Sequence, residues 1–378
     1  MRMAAPGMRL PVLAWLVAVA VTGCGVAPHT AATWAGWTQE PMQYARYFQL
    51  WRKGDMQMLL TFGPGGNTDT TGIIVRGGNR EDSLAPPGAV HLHGTLRRVA
   101  LVSTTHASFI SALGQAKDVV GCAYTDRLRD TAVVALAKAG HVEEIGAADG
   151  VDREKLLLLA PDALFTYPYG TKDQGRTLGQ VPVVPVSEYL EEHPLGRAEW
   201  LRAFGMLFGL ETRADSLFSG IVDRYTAALA SVPTGADRPA VFFGSAWKGI
   251  WSVPSGKSYM AQLINDAGGR YLFADSIRKG NIDLGLETVL HTGAEAAYWG
   301  RSLDLREPVT AADVAGGDSR VMALPAFRNG GAFYASSAES DLFGQAGLEP
   351  AVVLRDLIGI LHPQSATERR PVYFKPVQ

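Results

Sequence analysis

Two stretches in opposite halves of the chain repeat one pattern. "VDREKLLLLAPDALFTY" and "IDLGLETVLHTGAEAAYW" each open an apolar helix next to an acidic residue, break briefly, and run into a strand that ends in an aromatic. A second pair agrees with the first. The strand-like "RVALVS" leads into the helical "ASFISALG", and "AVFFGS" is followed by "SYMAQLINDAGG". Strand and helix in alternation demand a mostly parallel sheet, because parallel strands need a crossover to join them. The same alternation at matching places in both halves predicts two similar α/β lobes. Between them lie "HPLGRAEWLRAFGMLFG" and "ETRADSLFSGIVDRYTAALA", both apolar at helical spacing. The second keeps Ala214, Leu217, Phe218, Ile221, Tyr225 and Leu229 on one face and is expected as a single long helix joining the lobes. Before the first lobe, "MQMLLTF" and "GIIV" read as a small N-terminal β extension.

At 378 residues the chain has room for two ordinary domains, and a formal charge of −2 gives no basic field for nucleic acid. Arg2 and Arg9 precede the apolar run Leu10 to Val21, an export signal too short to span a bilayer. Its ending, Val21-Thr22-Gly23-Cys24, resembles the bacterial lipoprotein signal, which implies cleavage before Cys24 and a lipid on that cysteine. Cys122, the other cysteine, sits in "DVVGCA" and is expected buried and inert. The expected order is signal peptide 1–23, tether and β element 24–96, first lobe 97–190, helical segment 191–235 and second lobe 236–378.

The first strand of the first lobe stops on Ser103-Thr104-Thr105-His106, at a carboxyl edge of the kind where open α/β sheets hold ligands. Hydroxyls and helix-start N–H groups suit carboxylate or phosphate edges, and Ser or Thr before a helix also serves as a cap. Either use fits each of the three hydroxyl residues. His106 is a candidate for metal coordination and, equally, for an uncharged hydrogen-bonding role. Tyr124, Tyr167 and Tyr169 follow other first-lobe strands; Ser245, Trp247, Trp251, Tyr259 and Trp299 answer from the second. Such aromatics stack on planar ligands or ligate ferric iron, though packing is their commoner fate. Arg127, Arg129, Lys172, Lys248 and Lys257 lie near the same loops. No G-x-S-x-G elbow supports a hydrolase built on Ser103 or Ser245. "WSVPSGKS" ends like a phosphate loop but has Trp251 where the first glycine belongs. No catalytic residue, cofactor or metal centre is assigned.

The stretches "RVALVSTTHASFISALG", "VVGCAYTD", "VDREKLLLLAPDALF", "HPLGRAEWLRAFGMLFG", "SGKSYMAQLINDAGG" and "LRDLIGILHP" carry a resemblance over residues 97 to 373. The chain resembles the helical-backbone (type III) substrate-binding proteins of ABC importers, the group that serves iron-siderophores, haem and cobalamin. The resemblance implies a ligand cleft between the lobes, a ferric siderophore or similar iron chelate as ligand, and haem or cobalamin as alternatives. It implies a membrane permease and its ATPase as partners, a lipid-anchored monomer on the periplasmic face of a membrane, and no enzymatic activity. It also implies that Glu154 and Glu287, at the starts of equivalent helices in the two lobes, pair with arginines of the permease.

Overall fold

The structure is a computed structural model and describes residues 35–77, 85–147, 150–168, 177–235, 237–278, 280–365 and 369–377. The signal peptide, Cys24, Tyr169 and Lys172 lie outside the described residues. The described chain opens with β1 (Thr38–Gln39), β2 (Phe48–Lys53), β3 (Met56–Phe62), β4 (Thr70–Arg76) and β5 (Val90–Leu92), paired in that order. The pairs are antiparallel except β4–β5. Every residue of β3, "MQMLLTF", is buried, so this sheet is covered on both faces rather than on one.

The first lobe runs β6 (Val99–Leu101), α1 (Thr105–Ala112), β7 (Val119–Cys122), α2 (Thr131–Lys138), β8 (Glu143–Glu144), β9 (Gly146–Ala147), β10 (Gly150–Val151), α3 (Arg153–Leu159), β11 (Ala163–Thr166), β12 (Thr177–Leu178) and β13 (Val181–Pro185). Its sheet has the order β12-β13-β11-β6-β7-β8, parallel apart from β12. Asp130 and Asp152 start α2 and α3 by accepting the Val133 and Lys155 N–H groups. Cys122 is buried, and loss of water there lifts its thiol to about 12, which leaves it inert as expected.

Two helices, α4 (Pro194–Phe208) and α5 (Glu211–Leu229), lead out of this sheet and into the next. After them come β14 (Ala240–Phe243), β15 (Ser245–Trp247), β16 (Ile250–Pro254), α6 (Tyr259–Asp266), β17 (Arg270–Tyr271), β18 (Asn281–Leu284), α7 (Leu286–Gly293) and β19 (Tyr298–Leu303). Three single turns, α8 (Ala311–Val314), α9 (Ser319–Met322) and α10 (Pro325–Arg328), precede β20 (Ala332–Ser336); α11 (Gln345–Leu348), α12 (Pro350–Leu361) and β21 (Phe374–Pro376) close the chain. The second sheet has the order β17-β14-β19-β20-β21, parallel apart from β21. The order β13-β11-β6-β7 in one lobe matches β20-β19-β14-β17 in the other, strand for strand in sequence. The two echoed stretches are the equivalent crossovers, α3 into β11 and α7 into β19. What the second lobe adds is the separate antiparallel sheet β15-β16-β18.

The two linking helices differ in kind. α5 is amphipathic, with Ala214, Phe218, Ile221, Tyr225 and Ala228 buried, while Leu229, expected on that face, is 37% exposed. In α4 every residue is buried except Arg197 and Arg202. A helix apolar on all sides belongs inside the protein. Its Phe204 stacks on Phe109 of α1 and Phe165 of β11 at 4.8 and 5.3 Å, and Trp200 meets Phe48 of β2 at 4.8 Å. No helix among the described residues is long and apolar enough to cross a membrane.

Buried carboxylates fasten the N-terminal sheet to this helix. Glu199, fully buried in α4, accepts the N–H groups of Gln43, Tyr44 and Ala45 at 2.9, 2.8 and 2.8 Å and a bond from Arg202 at 3.3 Å. Glu191 accepts from Arg46 N–H, Tyr47 N–H and the Trp200 indole, each at about 3.0 Å. Asp356 repeats the device at the other end of the chain, accepting from Val372, Tyr373 and Phe374 at 3.0, 2.7 and 3.2 Å. Glu199→Ala leaves three partly buried N–H groups without this acceptor and is expected to lower unfolding free energy by about 1–3 kcal/mol, read from the urea midpoint. A loss under about 1 kcal/mol contradicts the clamp.

Loss of water at Glu191, aided by neighbouring Glu199, outweighs its three donors and lifts its carboxyl from 4.5 to about 7. The folded state therefore holds this proton more tightly than the unfolded one. The stabilisation is complete below about 4.5 and is lost as pH rises through about 7, roughly 3 kcal/mol in all. Unfolding measured across that window is expected to show this slope, and Glu191→Gln is expected to flatten it.

Candidate ligand cleft

Parallel strands present their carboxyl ends at one edge of each sheet, and the loops leaving those edges meet across the lobes. Arg129, beyond β7, donates through Nε to the Ser337 carbonyl beyond β20 at 3.0 Å. Ser108 of α1 donates to Asp341 at 2.8 Å, and Asp341 also accepts the Gly344 and Gln345 N–H groups. The Ser337 hydroxyl donates to Asp304, beyond β19, at 2.8 Å. Both lobes thus contribute polar groups to one seam.

At that edge Ser103, Thr104 and Thr105 are half-buried and their hydroxyls are not equivalent. Thr105 Oγ1 donates to Glu188 Oε1 at 2.6 Å. Its proton is thereby committed, so in the 2.9 Å contact between Ser103 and Thr105 the proton belongs to Ser103. Thr105 N–H also donates to Ser103 Oγ at 3.3 Å. Ser103 thus retains one free lone pair and offers an incoming group an acceptor, not the donor expected for an anion site. Thr104 immediately precedes α1 but makes no capping bond through its side chain. Burial raises the Glu188 carboxyl, yet the adjacent His106 ring, the Thr105 hydrogen bond and Arg197 outweigh burial and hold it below its usual range.

His106 is fully buried beneath the seam, 3.6 Å from Glu188 Oε2 and packed between Phe165 and Phe204. It lies against Glu188 and exposes no surface at the cleft, so it does not line the cleft as expected. Beside Ser103 in the sheet, Tyr124 and Tyr167 follow the flanking strands β7 and β11. Tyr124 holds φ of 58°, a left-handed conformation that costs a non-glycine residue on the order of 1–3 kcal/mol. The turn Thr125–Arg127 then brings the Arg127 guanidinium to 4.9 Å from the Tyr124 ring centre. Burial, and to a smaller extent Tyr124, raise the Tyr167 phenol, which favours a hydrogen-bonding phenol over a phenolate. Tyr167 packs edge-on against Tyr189 at 6.4 Å.

In the second lobe the sequence expectations divide. Ser245 is half-buried just beyond β14, its hydroxyl 3.5 Å from the Ser302 carbonyl. Trp247 is 75% exposed at the tip of the β15–β16 hairpin, with Lys248 5.7 Å from its ring centre. Trp251 and Trp299 are not cleft residues. Trp299 is fully buried and stacked on Phe242 at 3.7 Å, with Trp251 edge-on at 5.3 Å, so the aromatic ending "AAYW" belongs to the lobe core. Tyr259 opens α6 under the Arg197 guanidinium of α4, 4.1 Å from it, and is a contact between helices rather than a strand-end group. Glu154 and Glu287 are exposed in the first turns of α3 and α7. Glu188, Asp304, Ser337 and Asp341 also belong to this seam and carry no sequence signal. Their partners lie 83, 33, 208 and 233 residues away, and no local spacing announces them.

The chain is similar to an uncharacterised lipoprotein of Methanocaldococcus jannaschii, 26% identical over 295 residues that span 74% of this chain and 68% of that one. Among solved structures it is similar to a periplasmic haem-binding protein of Pseudomonas aeruginosa, with a TM-score of 0.58, 17% identity, and coverage of 74% of this chain and 98% of that one. It is also similar to the siderophore-binding protein of Vibrio cholerae solved with ferric Desferal, with a TM-score of 0.54, 18% identity, and coverage of 70% and 99%. At these identities the structures establish a shared fold. A family model described as periplasmic binding protein matches residues 99–337, which takes in both sheets and the helices between them. The chain belongs to the periplasmic binding protein family, whose members bind substrates for transport and are not enzymes.

Proposed function

We propose that this protein captures an iron chelate, a ferric siderophore or similar compound, between its lobes and delivers it to an ABC permease. The observation that carries this reading is the pair Tyr124 and Tyr167 at adjacent strand ends, one held in a strained conformation under Arg127 and the other kept as a neutral phenol. Neutral phenols and hydroxyls recognise the organic shell of a chelate rather than replace its iron ligands. Ser103, as an acceptor, suits an N–H or O–H on that shell, and Thr104, Thr105, Ser245 and Trp247 complete the lining. The ferric Desferal complex bound by the similar Vibrio protein is a ligand of this class. Haem is the second reading, favoured by the exposed Trp247 and by the similar Pseudomonas protein; a corrinoid is the third. The N-terminal signal, and the lipoprotein similar to this chain, support export and a lipid anchor at Cys24.

Titration of a ferric hydroxamate chelate, followed by tryptophan fluorescence, is expected to saturate at one equivalent. Tyr124→Ala is expected to weaken that binding about tenfold and Ser103→Ala by a smaller factor. Unchanged affinity in both variants rejects this lining.

Docking on the permease is assigned to Glu154 and Glu287. Each stands exposed at the start of an equivalent helix, where a carboxylate can meet a guanidinium bidentately. On α3 the residues one turn further, Leu157 and Leu158, are 51% and 86% exposed and extend the same face with apolar surface. The double substitution Glu154→Arg and Glu287→Arg is expected to spare ligand affinity and abolish uptake in cells. Normal uptake by the double variant rejects the docking role.

A further inference from the structure

A second cavity lies at the other edge of the second-lobe sheet. Its walls include Tyr298 at the start of β19, Ala332 at the start of β20 and Pro376 at the end of antiparallel β21. The ligand cleft opens at the carboxyl ends of the same strands, so the two sites do not overlap. The volume, about 710 Å³, falls in the range that holds small organic ligands.

The lining has two characters. On α12, Arg355, Ile358 and Gly359 stand at i, i+3 and i+4 and share one face. Glycine inside a helix costs roughly 1 kcal/mol relative to alanine, and here it leaves the middle of that face open. Pro371 and Pro376, which carry no backbone N–H, line the cavity as well, and together with Ile358 they give it apolar surface. Against this stands a surplus of positive charge. Arg355 is half-buried and makes no hydrogen bond or ion pair among the described residues. Arg369 pairs with Asp356 through Oδ1 at 3.8 Å, the outer limit of an ion pair. The other oxygen of that carboxylate, Oδ2, accepts the three N–H groups of Val372, Tyr373 and Phe374. Two guanidinium groups therefore border an apolar chamber with one committed carboxylate between them.

We infer that this cavity is a second ligand site, for a small anionic amphiphile: one carboxylate or phosphate monoester at Arg355 and Arg369, with an apolar chain over Ile358 and Gly359. Such an anion replaces the water that a half-buried, unpaired arginine must otherwise keep. The apolar chain fills the space that Gly359 leaves. Nothing in this site depends on the nature of the ligand in the interlobe cleft.

Calorimetric titration of the full chain with decanoate and with dodecyl phosphate, both below micelle formation, tests the inference. Dodecanol serves as the chain without charge and inorganic phosphate as charge without chain. Anionic phosphatidylglycerol vesicles distinguish a bilayer headgroup from a free amphiphile. At least one of the two free amphiphiles is expected to bind saturably at one equivalent, and both controls at least tenfold more weakly. Arg355→Gln is expected to weaken that binding about tenfold and Gly359→Leu to abolish it. Arg355→Gln breaks no hydrogen bond or ion pair among the described residues, so it remains decisive if Gly359→Leu fails to fold. Absence of saturable binding by both free amphiphiles, equal binding of dodecanol, binding only to vesicles, or binding indifferent to Arg355→Gln overturns the proposal.

Discussion

Glu199 is the one acidic residue of α4, a helix otherwise buried almost all round, and it is fully buried with it. A carboxylate in that position is tolerated only if its oxygens are filled, and the chain fills them with the backbone of residues 43–45. Much else depends on this contact. It fastens the N-terminal sheet to the helix whose other faces hold Phe109 and Phe165 of the first lobe and, through Arg197, Tyr259 of the second. The N-terminal extension is consequently part of the framework that fixes the lobes.

The same helix bears on the ligand edge. Phe204 packs against His106, His106 lies against Glu188, and Glu188 accepts the hydrogen bond of the Thr105 hydroxyl. Ser103 is oriented at the end of that chain. A seam supported from below in this way presents a fixed pattern of donors and acceptors, which suits recognition of one ligand shell. Direct contacts between the lobes, Arg129 to Ser337 and Ser108 to Asp341, hold the two sides of the seam in register.

Much of the fold was legible in the sequence because its signal is local. Each strand–helix crossover carries its own period and cap, so the repetition in the two halves predicts two similar α/β lobes, and the two sheets share a strand order. The site was less legible. "STTH" was correctly placed at a strand end, but the division of labour within it depends on Glu188, which lies 83 residues from Thr105. The aromatic ending a strand misled for a related reason. Tyr167 and Trp299 follow equivalent patterns, yet Trp299 lies within β19, where its side chain meets Phe242 in the core, while Tyr167 lies one residue past the end of β11. Trp299 stands four residues before the end of its strand and Tyr167 one residue past the end of its own, and sequence patterns fix element ends only to within a few residues. The N-terminal clamp was illegible altogether, since nothing near Glu199 in sequence names residues 43–45 as its partners.

The ligand proposed for the cleft is a preformed iron chelate. The most direct measurement is the absorption spectrum and native mass spectrum of the protein purified from its own cell envelope. One equivalent of a ferric chelate is expected, with a visible charge-transfer band and a mass increment equal to chelate plus iron. A Soret band, corrinoid bands or an iron-free organic ligand in the cleft contradicts it.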